Sequence, residues 1–357
     1  MVESDPTGDP SAMTTDEPFS YPYYFPPSTH VIVGSYLVVV GLLGTVGNGL
    51  VLAMFLKFRG LITPTSLLLI NLAVSDLGLI VLGFPFSASS SFAGSWLFGE
   101  GGCQWYAFMG FLFGSAHIGT LALLALDRYL IACRISLRGK LTYRRYCQML
   151  SAIWGYAFFW AAMPLLGWGR KPLDYFYMFE TRKRQYGMEP SVTTCTIDWQ
   201  HNDSNYKSFI LVYFVLGFMV PLVIITVCYF AIARRIRKNT VSKQRGVVHD
   251  QWTNERSITY MSFVLIVAFL IAWTPYAVLC LWTIFDHPNT VPPFLTLIPP
   301  LFAKASTVFN PFIYFFSNPK LRAGILATLC CCCKDVHVES IEMPDSPERV
   351  PANTDAT

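Results

Sequence analysis

Charge is what this chain lacks. Only 13% of its 357 residues are Asp, Glu, Lys or Arg, against roughly a quarter in soluble globular proteins. The shortage is concentrated in long stretches that hold almost none. That excludes the two or three soluble domains such a length would otherwise suggest. The basic residues fall between apolar blocks rather than on one face, and the net charge is only +4, so a nucleic-acid-binding surface is excluded as well. Segments of about ten residues with alternating polarity, the mark of a transmembrane β-barrel, are missing. The first 30 residues hold five acids and no Lys or Arg. They have neither the basic nor the apolar region of a cleavable signal peptide, so the first apolar block is expected to serve as the signal anchor.

Apolar residues are abundant, at 53%. A bilayer core of about 30 Å takes about 20 apolar residues per helix. Seven blocks reach that length: 31–56, 64–86, 104–126, 147–169, 208–233, 257–285 and 292–316. The expected fold is an all-α integral membrane protein, a seven-transmembrane helix bundle with a short amphipathic cytoplasmic helix after span seven. Gly and Pro interrupt several blocks, which buried spans tolerate. Lys and Arg number two in 57–63, six in 128–146 and seven in 234–256, and none in 87–102 or 286–291. Positive loops stay inside, which predicts a multi-pass protein of the cell membrane with its N-terminus extracellular and its C-terminus cytoplasmic. The expected organisation is an outer tail at 1–30, the bundle at 31–316, an amphipathic helix with a Cys cluster at 317–333, and a polar, disordered tail at 334–357.

The ten Cys fall in two settings. Cys103 and Cys195 lie on the oxidising side. Cys330, Cys331, Cys332 and Cys333 lie on the reducing side just past an amphipathic stretch, where juxtamembrane Cys points to S-palmitoylation. A metal site is the competing reading, but four adjacent Cys reach one tetrahedral ion poorly. No other grouping suggests a metal. Asn202-Asp203-Ser204 is an outer glycosylation sequon, a triplet that also arises by chance.

Two fully charged side chains fall inside the blocks, Asp76 and Lys304. A lysine at mid-membrane costs about 2.5–3.5 kcal/mol even on insertion scales, so it points to function. Neither interface is within snorkelling reach. Out of water an amine favours its neutral, nucleophilic form, and the chemistry suggested is a Schiff base with an aldehyde. A lysine on an ion path is the alternative.

The motifs then run in order, one set per span: Asn48 in "GNGLV", Asp76 in "NLAVSD", Asp127-Arg128-Tyr129, Trp154, Pro221 with Tyr229, "AWTPY" at 272–276, and "NPFIY" at 310–314, which contains Asn310, Pro311 and Tyr314. The set resembles the rhodopsin-like (class A) G-protein-coupled receptors over roughly residues 31–333. The resemblance implies that Arg128 pairs with Glu255 at rest and is freed to meet a heterotrimeric G protein as span six swings outward about Pro275. It implies an internal polar network around Asn48 and Asp76. It also implies a Cys103–Cys195 disulfide pinning the outer loop over the bundle, two isolated thiols being the alternative.

Lys304 stands six residues before Asn310, the spacing at which opsins carry their retinal-binding lysine. The chain therefore resembles an opsin, with retinal, 11-cis or all-trans, as cofactor on Lys304. By the same alignment Tyr106, Gly114, Ser115, Phe214, Phe218, Trp273 and Tyr276 would line the pocket. A buried protonated Schiff base needs a carboxylate. Vertebrate visual opsins place it three residues after the Cys of span three, where this chain has Tyr106. Glu189, six residues before Cys195, matches the site used by many bistable and non-visual opsins and is the expected counterion; a neutral Schiff base absorbing in the ultraviolet is the alternative. The segments "FWAAMPLLGWG" (159–169) and "AWTPYAV" (272–278) resemble the neuropsin and peropsin side of the family. The expected function is a light-activated, photoreversible receptor rather than an enzyme. A retinal photoisomerase like retinochrome comes second and a receptor for a diffusible ligand third. Asn318-Pro319-Lys320 matches neither the vertebrate visual "NKQ" nor the invertebrate "HPK", which leaves the G-protein class open. Ser340, Ser346, Thr354 and Thr357 in the tail offer sites for a receptor kinase and arrestin.

Overall fold

The structure is a computed structural model and describes residues 25–134, 141–168, 186–189, 191–197, 204–241, 250–286 and 291–329. Asn202, Cys330, Cys331, Cys332, Cys333, residues 1–24 of the outer tail and the tail at 334–357 lie outside these residues, as does the side chain of Glu255.

Helix α1 (Pro27–Lys57) opens on a proline, whose fixed φ suits a first turn. A short 3-10 turn (Arg59–Leu61) leads to α2 (Ser66–Ala93). The second apolar block stops at 86, yet α2 continues through a run of serines, because Ser89 donates to the Pro85 carbonyl at 2.6 Å and Ser91 to that of Ser87 at 2.7 Å. Their hydroxyls are satisfied inside the helix and need no water. The helix stops at Gly94, whose φ of +74° is the left-handed geometry glycine adopts freely. Then come α3 (Gly99–Cys133) and α4 (Tyr143–Ala162). An antiparallel hairpin of β1 (Tyr186–Met188) and β2 (Cys195–Ile197) follows, paired Tyr186 to Ile197 and Met188 to Cys195.

The fifth span is α5 (Ser204–Tyr213) and α6 (Val220–Val241), joined by a π-helical turn at Phe214–Met219. Helix α7 (Asp250–Phe285) carries Pro275, α8 (Pro293–Ser317) carries three internal prolines, and α9 (Pro319–Leu329) follows. Among the described residues, five spans are apolar enough to cross a membrane on length and composition alone: α1, α2, α3, the fifth span and α7. Helix α4 opens on Tyr143-Arg144-Arg145, and α8 carries Lys304 and three internal prolines; neither is among those five. Both nevertheless pack into the bundle, α4 against α3 and α8 against α7 and α1.

The outside of the bundle is apolar: Val46, Val227 and Ile271 are each about 60% exposed, a surface suited to lipid rather than water. Inside, a lower core forms around Leu72, Leu121, Leu124, Met261 and Leu265, and an upper one around Tyr106, Trp160, Tyr186, Phe209 and Leu279. Helix α9 lies against α1 through Leu321 and Ile325, and Lys57 donates to the Ala327 carbonyl at 2.8 Å. The approach needs glycine at 324, since a Cβ there would meet Met54 Sδ at 2.8 Å.

Candidate functional site

The outer end of α3 and strand β2 are joined by the Cys103–Cys195 disulfide, with Cα atoms 5.4 Å apart. This holds the hairpin over the bundle as a plug. Gln104 donates to the Tyr186 carbonyl at 2.8 Å, and the Tyr186 hydroxyl donates to the Ala161 carbonyl at 3.0 Å. Burial pushes the Tyr186 phenol well above the usual tyrosine range, which keeps it a donor.

The turn between the strands is tight. Glu189 N–H donates to Thr194 O at 2.8 Å, Val192 N–H donates to Glu189 O at 2.8 Å, and Val192 takes a φ of +52°. The turn leaves the Glu189 side chain 5% exposed, where its carboxylate accepts a hydrogen bond from the Thr194 hydroxyl. Ser191 and Thr194 hydroxyls lie 3.0 Å apart beside it.

Beneath the plug is a cavity of about 150 Å³. Its walls are Tyr106, Phe111 and Gly114 from α3, Glu189 and Thr196 from the hairpin, Tyr213 from α5, Trp273 and Tyr276 from α7, and Ala303 and Lys304 from α8. A second chamber of about 90 Å³ adjoins it across Phe111, Trp273 and Tyr276 and ends on Phe214, Gly217 and Phe218 of the π turn. Among the described wall residues Lys304 is the one amine and Glu189 the one carboxylate. Lys304 Nζ stands over the Tyr106 ring, 5.9 Å from its centre. Trp273 is oriented by its indole N–H, which donates to Ser306 Oγ at 3.0 Å. Thr196 and Tyr276 hydroxyls are 3.2 Å apart and close the upper wall.

Tyr106, Gly114, Phe214, Phe218, Trp273 and Tyr276 therefore all face one or other chamber, as the alignment implies. Ser115 is the exception. It is buried behind the wall, with its hydroxyl 3.0 Å from that of Tyr213, and it is Tyr213 that meets the cavity. Phe111, Tyr213 and Thr196 are wall residues that the alignment did not single out. Phe111 stands one turn before Gly114 and so shares its face; the other two carry no comparable sequence signal.

At the far end of α3, Arg128 pairs with Asp127, donating from Nε at 2.9 Å, and its Nη2 donates to Thr65 at 3.0 Å. Tyr146 of α4, not singled out from sequence, donates its hydroxyl to the same carboxylate. Tyr129 is half-buried beside this cluster, while the Tyr229 ring packs on Phe263 at 5.4 Å. Asn48 donates to the Thr307 carbonyl at 2.8 Å, and Asn310 donates to Asp76 at 2.7 Å. Pro311 lies so close to α1 that a Cβ at Gly47 would meet it at 2.8 Å, and Tyr314 is buried at 1% exposure. Among the described residues no group of His, Cys, Asp or Glu is arranged to hold a metal.

Comparison with known proteins agrees with this architecture. The family "7 transmembrane receptor (rhodopsin family)" matches residues 47–314. The visual pigment-like receptor peropsin of Homo sapiens is 38% identical over 307 residues, 86% of this chain and 87% of that protein. Opsin-5 of Homo sapiens is 35% identical over 288 residues, 80% of this chain and 77% of that protein. The crystal structure of squid rhodopsin superposes with a TM-score of 0.76 at 31% identity, covering 92% of this chain and 94% of that one. The chain belongs to the rhodopsin family of seven-transmembrane receptors and, within it, to the opsins. It is thus a multi-pass membrane protein of a family of light-sensing receptors, not of enzymes.

Proposed function

We propose that this protein is a photoreceptor that carries retinal as a Schiff base on Lys304 and passes light absorption to a heterotrimeric G protein. One observation carries the reading: among the described wall residues, one amine and one carboxylate share an otherwise largely aromatic and aliphatic cavity that lies beneath a disulfide-anchored hairpin. A slender conjugated aldehyde fits that donor set. Bound there, retinal supplies light absorption and rotation about a double bond.

The protein's own residues do the rest. Lys304 provides the attachment point. Glu189, held by Thr194, supplies the negative charge that keeps the attached nitrogen protonated in a dry site. Trp273, braced on Ser306, lies between the chambers and is the wall most exposed to a change of polyene shape. The counterion on the hairpin, with Tyr106 at the visual-opsin position, favours a pigment that retains its chromophore and can be photoreverted. On the inner side, Arg128 with Asp127, Tyr229 and Tyr314 form the surface that opens to a G protein as α7 swings about Pro275. In this reading the N-terminus lies outside, and Cys330, Cys331, Cys332 and Cys333 lie on the cytoplasmic side as palmitoylation sites. It also leaves Asn202 outside for glycosylation, and the tail inside for a receptor kinase and arrestin.

The test is light-dependent uptake of a non-hydrolysable GTP analogue by G protein mixed with the retinal-loaded receptor, alongside assay of retinal released into solution. Uptake without release supports the receptor. Release of isomerised retinal with no uptake makes the protein a photoisomerase instead.

A further inference from the structure

Below the cavity, the core holds an ionisable pair that the light-receptor reading does not use. His117 on α3 is 3% exposed, and its Nδ1 lies 3.1 Å from Oδ1 of Asp76 on α2, itself 1% exposed. The other carboxylate oxygen accepts a hydrogen bond from Asn310 of α8 at 2.7 Å. One face of the imidazole is stacked on Phe269 of α7, with centroids 5.1 Å apart and planes 12° apart. Phe269 in turn stacks on Trp273 at 5.5 Å and 22°, and Trp273 walls the cavity. A continuous column of contacts, Trp273–Phe269–His117–Asp76–Asn310, therefore joins the cavity to the "NPFIY" segment through four helices.

A carboxylate at this depth must be neutralised by a proton of its own or by a cation. Asn310 brings a dipole and no charge. The imidazole is the only basic group paired with Asp76 among the described residues. Lys304 is six residues up α8, on the cavity wall.

We propose that His117 is the fixed internal cation of the bundle. Protonated, it keeps Asp76 ionised without an external ion and leaves Oδ2 to grip Asn310. Its flat contact with Phe269 makes the pair sensitive to any movement of Trp273. His117 is thus a positioning residue that ties the cavity wall to the cytoplasmic switch segment. The charge assignment stands by itself, whereas the coupling to Trp273 rests on the light-receptor reading.

The two parts have separate tests. For the charge, the full chain in lipid nanodiscs, without retinal, is labelled with ¹⁵N-histidine and examined by solid-state NMR. The expected result is one imidazolium signal that is absent in His117→Phe and converted to neutral imidazole in Asp76→Asn. A wild-type spectrum with no such buried imidazolium overturns the proposal, whatever the variants do. For the coupling, the retinal-loaded His117→Phe keeps an aromatic ring against Phe269 and removes the charge. A protonated-carboxyl infrared band is expected to arise, to be missing from His117→Phe/Asp76→Asn, and to accompany a rise in dark GTP-analogue uptake of at least about fivefold, the lower end of site-to-site coupling. Wild-type infrared bands and dark uptake in that variant would make His117 a packing residue only. If wild-type protein takes up no GTP analogue in light, the receptor reading fails while the NMR result still stands.

Discussion

Lys304 Nζ stands 5.9 Å from the centre of the Tyr106 ring, and no described carboxylate comes within 4.0 Å of it. The amine has an aromatic face as its close neighbour where visual pigments place an acid, so in the proposed pigment compensation of its charge falls to Glu189, which lines the same cavity.

Glu189→Gln tests that division. Removing one partner of a buried ion pair costs about 3–5 kcal/mol, which corresponds to roughly 2–4 units on the proton affinity of the attached nitrogen. The retinal-loaded variant should therefore absorb in the ultraviolet at pH 7 and recover a visible band only on acidification. An unchanged visible band would assign the counterion elsewhere.

Gly114 and Ser115 are adjacent in sequence but differ in their access to the cavity. A Cβ at Gly114 would lie 3.5 Å from the Trp273 ring, so a methyl just fits and a branched chain does not. Gly114→Ile should cut pigment formation by about fivefold or more, since overpacking costs about 1–3 kcal/mol. Ser115→Ala should still form pigment, losing only the hydrogen bond to Tyr213, worth about 1 kcal/mol. The reverse ranking in a regeneration assay would contradict the wall described above.

The disulfide holds the hairpin that carries Glu189. Cys195→Ser should destabilise the protein by about 2–5 kcal/mol, seen as a lower thermal midpoint and little regenerated pigment. Wild-type yield and midpoint would show that the hairpin is held in place without it.

Tyr146 hydrogen-bonds the Asp127 carboxylate far from the cavity. Tyr146→Phe removes a bond to a charged acceptor worth about 1.5–3 kcal/mol, so the thermal midpoint should fall by several degrees while the absorption maximum stays put. A spectral shift would contradict the separation of the two ends of the bundle.

The spans, and the two ionisable residues that share the cavity wall, were legible because each rests on a local rule. Seven long apolar blocks need a membrane, and Lys304 stands out because a charge is costly there. The spacings from Asn310 to Lys304 and from Cys195 to Glu189 carried the rest by resemblance. What was not legible depends on packing between helices. Ser87 to Ser91 look like a loop until their hydroxyls are seen bonded back along α2. The π turn at Phe214–Met219 shifts the facing of the fifth span by an amount that no apolar periodicity records. His117 sits among apolar neighbours in span three and gains meaning only from Asp76 on another helix. Ser115 was set on the cavity wall, although Tyr213 stands between it and the space.

The most direct test of the central claim is the absorption spectrum of purified protein regenerated with 11-cis- and, separately, all-trans-retinal, compared with Lys304→Ala. A visible band in the native protein that is missing from the variant, and that shifts under light and returns under a second colour, is the predicted result. No retinal-dependent band with either isomer, or an equal band in Lys304→Ala, would contradict it.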